Sequence, residues 1–264
     1  MKRYFTPIAL LGVLFFQSCE DLVEYSPYDV RVRVTSVNAD NIRKIVANDL
    51  PPNRNDTFTF AVISDPHTFY ADLADAVSSI NANKQVQFTV VDGDVTDAGL
   101  FKEFDWEYRQ ISKLKTPFVT VIGNHDYLSN GREIFQKMYG PSNFSFEFHG
   151  TKLVFFDDIV WENGNSRPSF EWLSEELNDS IAHNHQLLFA HIPPESDQLA
   201  GEYDTVFQRM LKSKVDLAFF GHNHNYADNQ MDGYRYIVVG SVSRRYYSLV
   251  TVTADTVVTS KVNF

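Results

Sequence analysis

Short apolar runs alternate with segments of helical spacing along most of this chain. The runs 58–63, 86–91 and 118–122 are rich in β-branched and aromatic residues, which is typical of buried strands. Between them, the segments 68–80 and 100–114 carry apolar residues at helical intervals and predict helices. The repeat of roughly 30 residues is the size of a βαβ unit, so these three strands are predicted to be parallel.

The second half of the chain is richer in predicted strands. Further strands are predicted at 144–148, 151–156, 186–190, 215–220, 234–239, 246–252 and 256–262, and further helices at 129–139, 170–177 and 205–211. The residues 149–150 between two of these strands predict a hairpin. So many strands exceed what one parallel sheet naturally uses, so we expect an α/β protein with two sheets packed face to face; a single parallel sheet is the alternative.

The region before this pattern has a different character. Residues 30–34 alternate apolar and charged side chains, which predicts a half-buried strand, and residues 38–46 predict a short helix capped by Asn38 or Asp40. The run 51–56 is rich in turn-forming residues. We therefore expect a tether and N-terminal extension at 19–56 and a single domain at 57–264.

The first residues have the order of a secretory signal peptide. Lys2 and Arg3 precede the apolar stretch 8–16, and small and polar residues lead from it to Cys19, the single cysteine of the chain. The apolar stretch is too short to span a bilayer as a stable helix. The alternative is a buried thiol in an amphipathic helix.

This segment resembles the signal of bacterial lipoproteins, in which the cysteine becomes the lipidated first residue. Phe16 and Gln17 depart from the residues usual at those positions of the signal. The resemblance implies that residues 1–18 are removed as a signal peptide. It also implies an exported protein, attached to a bacterial membrane through lipid at Cys19, on the periplasmic or the cell-surface face.

Composition narrows the possible partners. With 44% hydrophobic residues the chain has ample material for a core, and its net charge of −11 argues against a surface for duplex nucleic acid, which needs clustered Lys and Arg. An acidic chain suits a site that holds cations.

Polar residues with metal-ligand chemistry follow five of the predicted strands. They are Asp65 and His67 after 58–63, Asp94 and Asp97 after 86–91, Asn124, His125 and Asp126 after 118–122, His191 after 186–190, and His222 and His224 after 215–220. Each residue taken alone is also explained as a helix cap, a core histidine or an ordinary turn. However, five of the eight histidines of the chain lie in these loops, which random scatter rarely produces. The carboxyl ends of strands are where open α/β sheets build their sites.

In this order, these residues resemble the five signature motifs of the calcineurin-like metallophosphoesterases. The motifs are Asp65-x-His67, Gly93-Asp94-x-x-Asp97, Gly123-Asn124-His125-Asp126, His191 and Gly221-His222-x-His224. The resemblance covers about residues 58–252. It implies a four-layer α/β/β/α sandwich, in which helices flank two mixed sheets and a dinuclear metal centre lies at the strand ends.

The resemblance also implies a ligand for each metal position. Asp65, His67 and His224 would hold one metal, Asn124, His191 and His222 the other, and Asp94 would bridge them. Carboxylate and imidazole ligands suit two ions of Mn, Fe or Zn, and the absence of thiolates argues against a structural zinc site. Two such ions can activate a bridging water or hydroxide and clamp a phosphoryl group during in-line displacement.

Three further residues of these motifs are not expected to be ligands. The histidine that matches His125 faces the leaving group in the family, so the expected role of His125 is general acid or hydrogen-bond donor to the transition state. Asp126 is expected to assist catalysis by orienting or charging His125. Asp97 is expected to support the loop or a ligand, and a helix cap is an equally good explanation.

Departures from related families narrow the substrate. Asp97 is followed by Ala98-Gly99 instead of the Arg-Gly of the protein phosphatases, and it occupies the position of the metal-binding tyrosine of purple acid phosphatases. We therefore expect an exported hydrolase of small or extended phosphomonoesters or phosphodiesters. The alternatives are a non-catalytic surface-binding protein that retains the fold, and a nuclease of the same superfamily. The sequence assigns a role to none of the candidate substrate contacts, which are Phe69, Tyr70, Tyr127, Tyr226, Arg132, Arg244 and Arg245.

Overall fold

The strands predicted to be buried form the centre of the computed structural model, which describes residue 26 and residues 28–49, 53–199 and 201–264. The predicted signal peptide 1–18 and Cys19 lie outside these described residues. No helix of the described part is long and apolar enough to cross a membrane.

The first sheet has five strands in the order β11-β10-β1-β2-β3. Their bounds are β1 Phe58–Ile63, β2 Val86–Asp92, β3 Phe118–Val121, β10 Tyr246–Val252 and β11 Val257–Asn263. β1, β2 and β3 are parallel, as predicted, and β10 and β11 extend the sheet in antiparallel fashion.

The second sheet has six strands in the order β4-β5-β6-β7-β9-β8. Their bounds are β4 Phe144–Phe148, β5 Thr151–Phe155, β6 His185–Phe189, β7 Leu217–Phe220, β8 Ala227–Met231 and β9 Tyr234–Val238. The inner four strands are parallel, and β4 and β8 form antiparallel edges. The prediction of two sheets is confirmed and the single-sheet alternative is wrong.

Aromatic side chains fill the space between the two sheets. Phe60 stacks on Phe88 within the first sheet, with ring centroids 4.9 Å apart, and Phe189 stacks on Phe219 within the second, at 5.0 Å. The Phe60 ring meets the rings of Phe189 and Phe219 edge-on. Because side chains alternate along a strand, the other faces of both sheets must be covered by helices.

The described part of the chain contains six α-helices. They are α1 Val37–Ala47, α2 Tyr70–Ala82, α3 Phe101–Ile111, α4 Gly131–Met138, α5 Phe170–Leu177 and α6 Glu202–Leu211. Ile63 of β1 belongs to one buried cluster with Leu73 of α2, and Ala218 of β7 belongs to the same cluster with Phe207 of α6. The fold is therefore an α/β protein with two mixed sheets flanked by helices, as expected.

The N-terminal extension differs from its prediction in two respects. Residues 30–34 do not form a strand; the side chains of Val30, Val32 and Val34 pack, partly buried, against the helix-side core. Asn38 is not a cap but lies inside α1, where its amide accepts from the backbone N–H of Thr120 and donates to the Thr120 carbonyl, both at 2.9 Å. The extension is therefore docked on β3, and the boundary at residues 56 and 57 stays a prediction.

One strand was not predicted. β8 has the sequence Ala-Asp-Asn-Gln-Met; Ala227 and Met231 pack, partly buried, against the core, but three of its residues are polar and none of the five is buried. It is an edge strand, held by backbone pairing to β9.

Candidate metal centre

The ends of five strands bring all seven predicted metal ligands to one edge of the sandwich. Asp65 and His67 follow β1, Asp94 follows β2, Asn124 follows β3, His191 follows β6, and His222 and His224 follow β7. Parallel strands in each sheet end on the same side, so the loops meet across the gap between the sheets.

The ligand atoms form two groups that share one residue. In the first group, ligand atoms of Asp65, His67, Asp94 and His224 lie within 4.8 Å of one another. In the second, the same holds for Asp94, His191 and His222, and Asn124 joins this group because its Oδ1 lies 3.1 Å from His222 Nδ1. Asp94 is the residue common to both groups.

The Asp94 carboxylate lies between the two groups. Its Oδ2 lies 3.1 Å from His191 Nε2 and 3.6 Å from His67 Nε2. The carboxylate is almost completely buried, at 1% exposure. Burial, the largest single influence, raises its pKa, but the interactions with His191, His67 and His125 together hold the pKa of Asp94 below its usual value. Asp94 is thus an anion between two sets of nitrogen ligands.

Two of the buried ligand atoms have no hydrogen-bond partner within the described part of the chain. These are Asp65 Oδ2 and His191 Nε2, and both residues are fully buried. His191 Nε2 is near Asp94 Oδ2 but not in the geometry of a hydrogen bond. Leaving such atoms unsatisfied is costly unless something binds them. A donor set of oxygen and nitrogen atoms without thiolate fits a divalent metal such as Mn, Fe or Zn.

Backbone carbonyls orient two of the imidazoles toward the centre. His191 Nδ1 lies 2.9 Å from the carbonyl oxygen of Asp92, and His67 Nδ1 lies 3.1 Å from that of Thr96. A carbonyl accepts a proton only from Nδ1–H, so Nε2 of each ring is left to bind a metal, as is usual for histidine ligands.

Burial favours the neutral, metal-binding form of two of the imidazoles. Burial lowers the pKa of His67, and burial together with the charge of His191 lowers the pKa of His222 to about 4. The hydrogen bond with Asp65 raises the pKa of His224, the more exposed ligand. Metal binding requires loss of that proton, so occupancy of the site depends on pH.

The ligand loops hold the backbone in a strained conformation. The φ angles of Asp65, His67, Asp94, His222 and His224 are positive, between 41° and 64°. Such residues cost on the order of 1–3 kcal/mol each and tend to cluster at functional sites. Five strained residues in one cluster mark this edge of the sandwich as a site.

Two glycines of the motifs are required by close packing. A Cβ atom on Gly93 would lie 2.3 Å from His191 Nδ1, and one on Gly123 would lie 2.2 Å from the backbone nitrogen of Asp94. Gly93 also has a φ of +84°. Any side chain at either position would displace a candidate ligand.

His125 lies beside the ligands without belonging to the two groups above. Its backbone N–H donates to Asp94 Oδ1 at 2.9 Å, and its imidazole Nδ1–H donates to the carbonyl of Asp97 at 2.6 Å. The ring is 4.7 Å from that of His67, centroid to centroid, and is partly exposed. Nε2 is therefore the nitrogen available to a substrate.

Asp126 contacts backbone rather than the His125 imidazole. Its carboxylate accepts from the backbone N–H groups of Gly123, Val95 and Thr96, at 2.9, 3.2 and 2.9 Å, and from the Thr96 hydroxyl at 2.8 Å. Burial and the charge of Asp94 raise its pKa to about 7. These contacts join the loops after β2 and β3; a direct role in catalysis stays a prediction.

Asp97 lies at the outer side of the ligands. Its Oδ1 is 3.6 Å from His67 Nδ1, and its side chain is 58% exposed. A supporting role for Asp97 stays a prediction.

Three acidic residues that contact the ligands were not predicted. Asp158 accepts from the backbone N–H groups of His191 and Ile192, Glu162 Oε1 accepts from Asn124 Nδ2 at 3.1 Å, and the carboxyl of Asp92 is buried near His191. Asp157-Asp158 follows β5, which is parallel to β6, so a polar pair after a buried strand was an available signal. Glu162 has no comparable sequence signal, because it lies in a turn before α5.

The candidate substrate contacts differ in their burial and in their partners. Tyr127 is buried and its hydroxyl donates to Asp157 at 2.5 Å, and Arg245 is ion-paired with Asp72 and Asp75. Phe69 is exposed at 39%, with its ring 6.3 Å from that of His67. Arg132 is exposed and lies over the Tyr127 ring.

A model of the calcineurin-like phosphoesterase family matches residues 58–226, more than half of the chain. The chain belongs to the calcineurin-like phosphoesterase family. The matched segment contains all seven candidate ligands and His125.

A curated relative of this calcineurin-like phosphoesterase is similar over part of its length. It is 26% identical over 174 residues to the glycerophosphodiester phosphodiesterase GpdQ of Enterobacter lignolyticus, an alignment that covers 58% of this chain and 61% of the relative. The chain thus spans less than two thirds of that relative.

Solved structures share the fold at low sequence identity. A dimetal phosphatase from Danio rerio is 15% identical with a TM-score of 0.61, covering 78% of this chain and 96% of the other. GAP50, the anchor in the inner membrane complex of Plasmodium, is 14% identical with a TM-score of 0.62, covering 78% of this chain and 84% of the other. These similarities show the fold.

Proposed function

We propose that this protein is a metal-dependent hydrolase of phosphodiesters with a dinuclear centre. The observation that carries the proposal is the Asp94 carboxylate, which lies between two groups of ligand atoms at the strand ends. Membership of the calcineurin-like phosphoesterase family supports a phosphoester substrate. The name of the curated relative supports a diester among such substrates.

Each metal position has a ligand set of its own. Asp65, His67 and His224 would hold one ion, Asn124, His191 and His222 the other, with Asp94 contributing to both. When bound, two such ions polarise the phosphoryl oxygens and lower the pKa of a water that attacks phosphorus.

The contacts of His125 support a role as the proton donor to the leaving alcohol. Because its Nδ1–H is held by the Asp97 carbonyl, a second proton on the ring resides on Nε2, which faces outward from that contact. The hydrogen bond from the His125 backbone N–H to Asp94 fixes the main chain that carries the His125 ring relative to the candidate ligands. In this proposal His125 donates its Nε2 proton to the departing oxygen, and Asp126 positions the loops that carry both residues.

We further propose that the protein is exported and anchored to a bacterial membrane by lipid at Cys19, with residues 1–18 removed. The support is the sequence of the first 19 residues. Expression of the full chain with labelled palmitate tests it: label should enter the protein, and Cys19→Ser should abolish labelling. Equal labelling of that variant would contradict lipidation at this residue.

Metal analysis and a substrate panel test the activity. The protein loaded with Mn²⁺ should contain about two ions per chain and hydrolyse bis(4-nitrophenyl) phosphate. Monoesters such as 4-nitrophenyl phosphate are assayed beside it to separate the two ester classes. A metal-loaded protein that hydrolyses neither would overturn the proposal in favour of a non-catalytic protein with this fold.

A further inference from the structure

A polar pocket of about 570 Å³ adjoins the candidate metal centre. It lies between the segment 127–136, which includes the first part of α4, and the turn at 162–163. Its lining consists of Tyr127, Ser129, Asn130, Arg132, Glu133, Gln136, Glu162 and Asn163. No candidate ligand lines this pocket or a larger surface hollow of about 680 Å³ beside α5.

Glu162 lines the pocket and also contacts the candidate metal centre. One oxygen of this carboxylate, Oε1, accepts from the amide of the candidate ligand Asn124 at 3.1 Å. The other, Oε2, is buried and has no hydrogen-bond partner among the described residues. The pocket is also adjacent along the chain, because Tyr127 is two residues from His125. A group attached to a phosphoryl at the centre can therefore reach this pocket.

Arg132 is held in the pocket by neutral contacts. Its guanidinium carbon lies 5.2 Å from the centre of the Tyr127 ring, and Nη1 donates to Asn163 Oδ1 at 3.1 Å. Arg132 forms no ion pair within the described residues, whereas Arg235 and Arg245 both pair with carboxylates. Its remaining N–H groups are therefore available as donors.

The charges of the pocket are balanced. Glu133, a lining residue, pairs at 2.7 Å with Lys137, which is not one, so the Arg132 cation and the Glu162 anion are the remaining charges of the lining. A second anionic group would meet the Glu162 carboxylate, and a cationic group would meet Arg132. The pocket is thus suited to a neutral group.

Its chemistry is that of hydroxyl recognition. Arg132, Asn130 and Asn163 supply donors, and Glu162 supplies an acceptor whose partner is absent from the described chain. A group that both donates and accepts satisfies both kinds of atom, and a hydroxyl does so. The Tyr127 ring offers little apolar surface, because Arg132 lies over it.

We propose that this pocket binds a polyhydroxylated alcohol substituent of the phosphodiester, of the size of glycerol or a small sugar, with Arg132 and Glu162 as its specificity-determining residues. The inference rests on the proposed phosphodiesterase activity and deepens it.

The test compares two matched substrates, glyceryl 4-nitrophenyl phosphate and propyl 4-nitrophenyl phosphate. They differ in two hydroxyl groups and release the same nitrophenol. For the Mn²⁺-loaded full chain we expect kcat/KM at least about tenfold higher for the glyceryl ester, since hydrogen bonds to charged groups discriminate by this order. Arg132→Ala should remove most of that preference by raising KM for the glyceryl ester more than KM for the propyl ester.

Two further variants sharpen the result. Asn163→Ala, which frees the Arg132 side chain, should weaken the preference in the same direction, and Arg209→Ala, on the exposed face of α6, should not change it. Equal kcat/KM for the two esters, or an equal effect of Arg132→Ala on both, would overturn the inference while the proposed activity stands. Hydrolysis of neither ester by the unaltered protein would overturn the proposed activity itself.

Discussion

The backbone N–H of His125 donates to Oδ1 of Asp94 at 2.9 Å, while Oδ2 of the same carboxylate faces the nitrogen ligands of both groups. One carboxylate therefore connects the candidate bridge between the metals to the candidate acid. Loss of its charge should affect metal binding, whereas loss of the His125 ring should affect only the chemistry. The two substitutions separate these roles.

Asp94→Asn should lose most of the metal bound by the unaltered protein. The amide is neutral and offers one oxygen in place of two, so neither ligand group keeps its shared anion. Metal content measured by mass spectrometry after dialysis checks this. Asp228→Asn, which alters an exposed ion pair with Arg235, is the control and should retain full content. Normal loading of Asp94→Asn would refute the assignment of the bridge.

His125→Ala should keep its metals and lose turnover in a manner that depends on the leaving group. An acid matters most for a poor leaving group, so an alkyl diester should lose on the order of 10²–10⁴-fold in kcat and a nitrophenyl diester less. Steady-state kinetics on the two substrates, with metal content measured alongside, checks this. A loss of equal size on both would argue that His125 does not donate the proton.

Chelation should lower the melting temperature of the protein. The ions would bind buried atoms such as Asp65 Oδ2 and His191 Nε2, which have no other partner in the described chain, so they stabilise the folded state by an amount that grows with the free metal concentration relative to Kd. Differential scanning calorimetry with and without EDTA, followed by addition of Mn²⁺, measures the effect. The Asp94→Asn variant should show little response to EDTA. A melting temperature indifferent to chelator in the unaltered protein would contradict a folded-state metal site.

The central strands and the ligands were predictable because their signals are local. β1 and β4 begin and end where the apolar runs do, and the loops after β1, β2 and β3 carry their ligands within a few residues of the strand end. The spacing of apolar residues and the position of polar residues after each strand were enough to predict these strands and ligands.

Long-range contacts were not predictable in the same way. Asn38 has the residue type of a cap, yet its amide binds Thr120, 82 positions away, and this contact outweighs the local preference. The contact of Glu162 with Asn124 spans 38 positions and depends on a turn with no strand signal. Residues 30–34 alternate apolar and charged side chains as a strand does. Their valines pack against the core, but their backbone has no partner strand among the described residues.

Asn38→Ala should destabilise the fold without changing activity. The substitution removes two buried hydrogen bonds and leaves the N–H and carbonyl of Thr120 unsatisfied, which should cost about 1–3 kcal/mol of unfolding free energy for each group left unpaired. Urea unfolding measures the loss. Asn41→Ala, also on α1, removes only a bond with Lys44 and should cost less than Asn38→Ala. Similar effects of the two variants would argue against the docking role of Asn38.

Glu107 should make stability fall as pH rises. The residue is fully buried in α3, and burial raises its pKa from 4.5 to about 8, although the hydroxyl of Tyr139, which donates to Oε2 at 2.9 Å, acts in the opposite direction. Below about pH 4.5 the carboxyl is protonated in both folded and unfolded states. Between the two pKa values the unfolded chain releases the proton and the folded one retains it. Stability from this group is therefore lost at up to about 1.4 kcal/mol per pH unit.

Glu107→Gln isolates this effect, because glutamine is neutral at every pH and its oxygen can still accept from Tyr139. The unfolding free energy of the variant should increase relative to that of the unaltered protein as pH rises from 5 to 8. This range lies between the unfolded and folded pKa values of Glu107. Urea unfolding at several pH values in EDTA, which removes the contribution of metal binding, measures it. A difference that stays constant across this range would show that Glu107 is already ionised in the folded protein.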